Sequence, residues 1–305
     1  MTGADSGFAR LAEGLLRSLR EAEPALGASL RIHVLDFGLG DAGRAQLAPL
    51  ADIVPVEPPM PMIGPPEKRS FFLSRMCKAY LVDLVPGFQA YMWMDADIWL
   101  QTPRALADVV RPLRSQEFVA VPELDRAYRV LFEPGTRQNA VRARRLTRGF
   151  GARAAALLHR LPNVNSGLVA ARAEAKMWGA WRERMRQVFA VEGDLDFVSD
   201  QAGLNAAIFL DKVPFYPLQS TLNWCFGGGV PRLDDDARFV TPLSPHQVIG
   251  LCHLTGVGIK RPVPIKWTRG GSVDLACDYL SVQAWRATNP RRRDGTSRIP
   301  AHTPS

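Results

Sequence analysis

The chain has 305 residues, of which 47% are hydrophobic and 22% are charged, which is ordinary for a globular protein with a sizeable core. No uncharged apolar run approaches the roughly 18 residues of a membrane-spanning helix, and the N-terminus lacks the apolar segment of a signal peptide. The four cysteines have no C-x-x-C spacing. Their scatter argues against a zinc ribbon or a disulfide framework and favours a reducing, cytoplasmic environment.

The net charge of +8 is unevenly distributed along the chain. Residues 137–160 contain seven arginines and no acid, and residues 286–305 contain five arginines and one aspartate. The rest of the chain therefore has a net charge of −3. A nucleic acid or an anionic membrane surface is a partner that such patches suit. A solvated helix face followed by a disordered tail explains the same residues, and we favour this interpretation.

Hydrophobic periodicity predicts alternating helices and strands. The elements expected first are a helix over 8–22, a strand over 30–37, a helix over 41–51 with Asp41 as its N-cap, a strand from residue 52, a helix over 74–85 and a buried strand from residue 90. These are followed by a helix over 102–110, a strand over 117–124, a helical region over 137–160, a strand over 163–172, a helix over 173–190, a helix over 199–210 capped by Ser199 or Asp200, and a strand over 248–256. This alternation indicates an α/β fold with a mostly parallel central sheet flanked by helices.

Two carboxylates interrupt the apolar stretch AYMWMDADIWLQ, residues 90–101. Asp95 and Asp97 are two residues apart, so on extended backbone both side chains point to the same side and converge. Two like charges beside a buried strand are costly unless a cation holds them, and a divalent metal ion is the simplest such cation. Open α/β sheets bind ligands beyond the carboxyl ends of their strands, where this pair lies. We therefore predict a metal site here.

Two further D-x-D patterns show that the spacing alone is weak evidence. Asp194 and Asp196 lie between two predicted helices, and Asp234–Asp236 lies in a glycine-rich loop. Both patterns are explained by a solvated surface. We therefore assign a function only to Asp95 and Asp97.

The motif Gly38-x-Gly40-x-x-Gly43 has the form of a dinucleotide-binding loop between a strand and a helix, and Glu57 is a candidate for the acid that binds the ribose. Against this, Asp36 places a charge where the strand should run apolar into the glycines, and the following helix is short. An NAD-dependent oxidoreductase is thus an alternative that we disfavour.

Six blocks of the sequence, in order along the chain, resemble the family 8 glycosyltransferases, which include glycogenin and bacterial lipopolysaccharide galactosyltransferases. The blocks are GADSGFARLAEGLLRSL from residue 3, HVLDFGLGDAGRAQL from residue 33, KAYLVDLVPGFQAYMWMDADIWL from residue 78, NVNSGLVAAR from residue 163, SDQAGLNAAI from residue 199 and CHLTGVGIK from residue 252. The resemblance implies a GT-A nucleotide-diphospho-sugar transferase fold, and it accounts for the glycines of residues 38–43 without NAD.

The resemblance also implies a set of site residues. It implies that Mn²⁺ or Mg²⁺ is held by Asp95, Asp97 and His253, with the imidazole favouring manganese. The residues that it assigns to the donor are Asp5, Lys78, Asp95, Asn165, Ser166, Asp200, Gly256 and Lys260. Lys78 and Lys260 would hold the phosphates as point charges. Asp200 and Gln201 are the candidate catalytic residues, with Gln201 on the reacting face of the donor sugar.

The activity implied is that of a hexosyltransferase that moves a sugar from a nucleotide-diphosphate donor, most plausibly a UDP-sugar, to a saccharide, lipid or protein acceptor, with retention of configuration. We expect one catalytic domain over 1–288, with a nucleotide-binding half over about 1–125 and an acceptor and donor-sugar half over about 126–288. Residues 289–305 are expected to form a disordered basic tail.

We expect the protein to lie in the cytoplasm, as the scattered cysteines indicate. Residues 137–160 and the tail leave peripheral contact with the inner face of the membrane open. A nucleic-acid partner is disfavoured, and a non-enzymatic binder of nucleic acid or anionic surfaces is the alternative from a different class. Three departures from the family are visible: only four residues precede Asp5, Lys78 replaces an arginine, and the loop from His253 to Lys260 has one extra residue.

Overall fold

The computed structural model describes residues 1–62, 64–131, 133, 135–192, 199–255 and 261–289. The helices are α1 (Ala9–Leu26), α2 (Gly40–Leu47), α3 (Arg69–Met76), α4 (Leu81–Leu84), α5 (Pro103–Val110), α6 (Arg137–His159), α7 (Lys176–Glu192), α8 (Asp200–Phe209) and α9 (Tyr279–Thr288). The strands are β1 (Thr2–Ala4), β2 (His33–Asp36), β3 (Asp52–Pro55), β4 (Ala90–Met94), β5 (Ile98–Leu100), β6 (Phe118–Pro122), β7 (Val164–Arg172), β8 (Tyr216–Pro217), β9 (Trp224–Cys225), β10 (Arg232–Leu233), β11 (Phe239–Val240), β12 (Leu251–His253), β13 (Val263–Trp267) and β14 (Ser272–Leu275).

The central sheet has the strand order β3-β2-β1-β4-β7-β6-β8. Strands β3, β2 and β1 pair in parallel. The Met1 nitrogen donates to the Met92 carbonyl and the Met94 nitrogen donates to the Met1 carbonyl, which joins β1 to β4 in parallel. Strand β7 is antiparallel to both β4 and β6, and β8 pairs in parallel with β6. The predicted α/β class, with parallel strands flanked by helices, is confirmed.

Helices cover both faces of this sheet, which explains why its strands read as continuous apolar runs. On one face, Trp93 packs in a core that includes residues of α7 and α8. On the other face, the next residue, Met94, packs in a core that includes residues of α1 and α5. Trp93 and Trp99 are both buried, which agrees with the buried strand that the sequence predicts from residue 90.

A smaller sheet, β5-β12-β9, lies next to the end of β4. Strand β12 is antiparallel to β5 and sets His253 opposite Ile98, while β9 is parallel to β12. A third core under this region contains Trp99, Tyr128 and Trp224. Because β12 pairs with β5 in this register, His253 lies near the carboxyl end of β4.

Two local predictions were wrong. The helix expected over 74–85 is broken, because a 3₁₀ turn over Cys77–Tyr80 separates α3 from α4. Asp41 does not cap α2, which begins one residue earlier, at Gly40, with Leu39 at the N-cap. The carboxylate of Asp36 accepts the backbone N–H groups that precede this helix, so a cap at Asp41 is not needed.

Three other expectations concern the cysteines, membrane-spanning helices and the C-terminal tail. All four cysteines are free and buried, as the lack of paired spacing predicted. No helix among the described residues is both long and apolar enough to cross a bilayer. The predicted disordered tail, apart from Asn289, lies outside the described residues.

Candidate functional site

Three candidate metal ligands meet at the carboxyl end of β4. Asp95 and Asp97 follow that strand, and His253 is the last residue of β12. Their ligand atoms all lie within 4.8 Å of one another. His253 Nε2 is 3.4 Å from an Asp97 carboxylate oxygen and 3.9 Å from an Asp95 carboxylate oxygen. The structure therefore brings together the three residues that the resemblance assigned to a metal ion.

A hydrogen bond fixes the orientation of the buried His253 ring. Its Nδ1 lies 2.9 Å from Asn223 Oδ1. Because an amide oxygen can only accept, Nδ1 carries the proton and Nε2 faces the carboxylates. Burial lowers the pKa of His253, but the Asp97 carboxylate raises it more, so the pKa lies well above its ordinary range. An imidazole nitrogen that faces two carboxylates needs a proton or a metal ion between them, and this donor set suits a divalent ion.

Gly167 leaves space between the three ligands. The Asp95 backbone N–H donates to the Gly167 carbonyl at 2.8 Å, so β7 lies directly against the turn. A Cβ on residue 167 would be 2.3 Å from His253 Cε1 and 2.9 Å from an Asp95 carboxylate oxygen. Both distances are shorter than van der Waals contacts. A glycine at this position of the Asn-Ser-Gly block is therefore required by the space that the ligands enclose.

Lys78 is a buried cation shared by two carboxylates. The 3₁₀ turn between α3 and α4 places its Nζ 2.7 Å from Asp95 and 2.8 Å from Asp200. Burial lowers the pKa of Lys78, but Asp200 and Asp95 raise it more, so it lies above its ordinary value. Lys78 thus connects the candidate metal ligands to the start of α8. Its expected role toward phosphates stays a prediction.

The predicted donor-sugar residues gather beside Lys78. Ser199 accepts the N-capping hydrogen bond of α8, which leaves the Asp200 side chain for the site. Ser166 Oγ donates to Asp200 at 2.8 Å, and the Ser166 backbone N–H donates to Gln201 Oε1 at 3.4 Å. Strand β7 and helix α8 therefore present these residues together. Their roles toward a sugar stay predictions.

Glu123 belongs to the same group, and the sequence analysis missed it. Its Oε1 accepts from Asn165 Nδ2 at 2.7 Å and from Gln201 Nε2 at 3.3 Å. Asn165 Oδ1 in turn accepts from Asn223 Nδ2 at 2.9 Å, and Asn223 holds His253. A continuous hydrogen-bond network thus connects Glu123 to the candidate metal ligand. A charge directly after the apolar strand β6 was the signal that could have revealed it.

Asp5 lies at the same edge of the sheet, because β1 and β4 are adjacent and parallel. Its carboxylate accepts from two backbone N–H groups of the following turn and from Ser70 Oγ. These contacts close the turn between β1 and α1, and a contact of Asp5 with a donor stays a prediction. Gly256 and Lys260 lie outside the described residues.

The glycine-rich loop after β2 is closed by its own strand. Asp36 Oδ1 accepts from the backbone N–H groups of Gly38 and Leu39, both at 2.8 Å, and Oδ2 accepts from Arg44 Nε at 2.6 Å. A dinucleotide loop needs such N–H groups for the pyrophosphate. Because a carboxylate of the chain already occupies these donors, the loop geometry argues against the NAD alternative.

A cavity of about 930 Å³ opens beside the hydrogen-bond network. One wall contains Glu123, Asn165, Gln201 and Cys225, and another is formed by residues of α6. Cys225 Sγ is 3.8 Å from His253 Nδ1, so this wall is only one side chain away from the candidate metal ligands. A small molecule in the cavity would therefore lie next to the site.

No family model and no curated protein matches the chain. Among solved structures, galactosyltransferase LgtC in complex with donor and acceptor sugar analogs is similar to it, with a TM-score of 0.51 and 16% identity, over 84% of this chain and 86% of LgtC. The bifunctional glycosyltransferase WbbM has a TM-score of 0.50 and 11% identity, over 84% of this chain and 45% of WbbM. The chain thus has the GT-A fold of the LgtC type, which confirms the predicted fold.

Proposed function

We propose that the protein is a metal-dependent glycosyltransferase that moves a sugar from a nucleoside-diphosphate donor, for which we propose a UDP-sugar, to an acceptor with retention of configuration. The observation that carries the proposal is the convergence of Asp95, Asp97 and His253 within 4.8 Å in a GT-A fold. LgtC, which shares the fold, forms a complex with donor and acceptor sugar analogs. We extend binding of both kinds of ligand to this chain.

The cofactor that we propose is Mn²⁺ or Mg²⁺. Two carboxylates and an imidazole fit such an ion, and the imidazole favours manganese. When bound, the ion supplies positive charge for the departing diphosphate. The chain holds Asp95, Asp97 and His253 at fixed spacing for it. Lys78 and Asn223 orient these ligands, since one binds Asp95 and the other binds the His253 ring.

The donor sugar is proposed to lie against Asn165, Asp200 and Gln201. Amides and carboxylates form hydrogen bonds with sugar hydroxyls, and Glu123 already orients two of these three side chains. Gln201 would face the reacting carbon, and Asp200 would hold both the sugar and the Lys78 ammonium. The candidate acceptors are saccharides, lipids and proteins, and the proposed location is the cytoplasm, with peripheral membrane contact as a further option.

Thermal unfolding with UDP, GDP or NADH, each with and without Mn²⁺, tests the proposal. A ligand at about 100 times its dissociation constant adds about 2.7 kcal/mol to the free energy of unfolding, which raises Tm by several degrees. We expect UDP or GDP to stabilise the protein only with Mn²⁺, and Asp97→Ala to abolish the effect. Stabilisation by NADH without metal would contradict the proposal and favour the glycine loop instead.

A further inference from the structure

The cavity beside the site has a strongly basic wall. The arginines that line it are Arg137, Arg142, Arg145 and Arg160. Among the described residues that line it, Glu123 is the one acid, and its carboxylate is already bound to Asn165 and Gln201. The described lining therefore has three more cationic than anionic side chains, with histidine counted as neutral. This excess attracts a negatively charged ligand.

The parts of α6 before and after Gly151 both contribute residues to this wall. Arg137, Val141 and Arg145 are four residues apart and lie along one face of the helix. At Gly151 the backbone leaves helical geometry, with φ 79° and ψ 164°, and the chain beyond this kink returns Arg160 to the same cavity. Arg142 stabilises the fold of this segment, because its Nη2 donates to the Leu158 and Leu161 carbonyls at 2.9 and 3.0 Å.

Arg145 gives the strongest indication that the cavity binds a ligand. Its Nε is buried and has no hydrogen-bond partner within the described part of the chain. A buried guanidinium N–H without an acceptor is costly, and native proteins rarely leave one unpaired. Burial lowers the pKa of Arg145, and the cationic Arg75 lowers it further. The Asp200 carboxylate raises the pKa but does not offset these two effects, so a bound oxyanion would give the guanidinium both an acceptor and further negative charge.

We propose that this cavity binds a phosphate or carboxylate group of the acceptor, with Arg145 at the centre and Arg137 and Arg160 at the rim. The inference rests on the proposed function and narrows its acceptor to an anionic molecule. The planar guanidinium fork matches both oxyanions with two parallel hydrogen bonds. Asn165 and Gln201 line the same cavity, so an acceptor held by Arg145 lies next to the residues proposed for the donor sugar.

The size of the cavity favours a small molecule or a single head group. A volume of about 930 Å³ is at the upper end of the range typical of small-molecule sites. A nucleic acid or a membrane surface is bound instead by an exposed basic face. Arg145 lines the cavity and its Nε is buried, which is not the geometry of such a face.

The test is a calorimetric titration of three hexoses into the full chain in the presence of UDP and Mn²⁺. Glucose 6-phosphate represents the phosphate source, glucuronate represents the carboxylate source, and glucose is the neutral reference. We expect at least one of the charged hexoses to bind about tenfold or more tightly than glucose, which corresponds to about 1.4 kcal/mol. The preferred one identifies the source of the negative charge.

Variants of α6 connect this preference to the cavity. Arg145→Gln should reduce the ratio of affinities to within about twofold, and Arg145→Lys, which keeps the charge without the fork, should give an intermediate value. Arg144→Gln is the matched control, because Arg144 is an exposed neighbour on α6 that does not line the cavity. Arg144→Gln should leave the ratio of affinities for charged and neutral hexoses unchanged. Equal Tm values would show that the variants are folded.

Equal affinity of wild type for all three hexoses would overturn the inference, as would an unchanged ratio in a folded Arg145→Gln variant. A loss of UDP affinity in Arg145→Gln would also overturn it, because the arginines would then hold the donor diphosphate. Failure of wild type to bind UDP with Mn²⁺ is a separate result that removes the proposed function. In that case the hexose titrations still show whether Arg145 binds an anion.

Discussion

The segments Asp95–Asp97 and Asp234–Asp236 have the same spacing of acids and different surroundings. In the first segment, the side chains of Asp95 and Asp97 are 27% and 15% exposed, and their basic partners, Lys78 and His253, come from distant parts of the chain. In the second, the side chains of Asp234 and Asp236 are 18% and 50% exposed, and both form ion pairs with Arg238. Asp194 and Asp196 lie outside the described residues.

This comparison shows how the candidate metal ligands differ from an acid pair that its own turn neutralises. Asp234 and Asp236 find a cation within their own hairpin, because Arg238 is at most four residues away. Asp95 accepts one local hydrogen bond, from Trp93 Nε1 at 2.7 Å, but the basic side chains beside Asp95 and Asp97 are a lysine and a histidine from distant parts of the chain. A cluster held together in this way is suited to bind a cation, whereas the hairpin turn is already neutralised.

The largest expected difference between the two segments concerns stability. Lys78→Met removes the cation between the buried Asp200 and the partly exposed Asp95. Breaking a buried pair costs about 3–5 kcal/mol, and we expect a value toward the lower end because Asp95 is 27% exposed. Arg238→Met removes an exposed pair and should cost about 0–1 kcal/mol. Urea unfolding of both variants measures these free energies. Equal costs would contradict the distinction.

A smaller effect is expected from filling the space between the ligands. In Gly167→Ala, the new methyl group would meet His253 and Asp95, so we expect a loss of about 1–3 kcal/mol in stability and about 10–100-fold in Mn²⁺ affinity. Gly179→Ala in α7 is the control, since within the described part of the chain no atom beyond the adjoining backbone of α7 and the two neighbouring residues lies within 4 Å of its added Cβ. It should stabilise the protein by about 0.5–1 kcal/mol. Unfolding and metal titrations of the two variants check both signs.

The smallest effect concerns Asp36, which is buried but has local partners. Burial raises its pKa, yet the Leu39 N–H, Arg44 and the Gly38 N–H lower it more, so the folded pKa is below the ordinary value. The unfolded chain then binds the proton more tightly, so the stabilisation is present above about pH 4 and is lost as the pH falls through the folded pKa. Asp36→Asn should cost about 1 kcal/mol at pH 7 and nothing in strong acid.

Acid titrations of unfolding free energy on wild type and Asp36→Asn measure this difference. A cost that stays constant down to pH 2 would show that the hydrogen bonds of the turn, rather than the charge, stabilise it. In that respect Asp36 would resemble Asp234 and Asp236, whose partners are also local, rather than Asp95 and Asp97.

The sequence was sufficient for those parts of the site that depend on local patterns. An apolar run followed by two acids identified Asp95 and Asp97, because strand periodicity and charge are visible in a window of a few residues. The blocks around Asn165 and Asp200 were identified by resemblance, and the structure places them beside Lys78. The N-cap of α8 was left open between Ser199 and Asp200, and the structure assigns it to Ser199.

The remaining parts depend on contacts between elements far apart in the chain. Asn223 reaches His253 because β9 pairs with β12, and no spacing in the sequence encodes that register. Glu123 joins the network through the pairing of β6 with β7. The break of the helix at Lys78 was missed for a similar reason, since two buried carboxylates attract the ammonium and local propensity does not include them.

The most direct test of the central claim is a Mn²⁺ titration followed by electron paramagnetic resonance, in which bound Mn²⁺ loses the sharp signal of the free ion. Wild type, Asp97→Asn and Asp236→Asn would be compared in the presence of UDP. We predict that wild type and Asp236→Asn bind one Mn²⁺ with affinities within about twofold, and that Asp97→Asn weakens binding by more than about 100-fold. Equal binding by all three proteins would contradict the claim that Asp95 and Asp97 hold the metal.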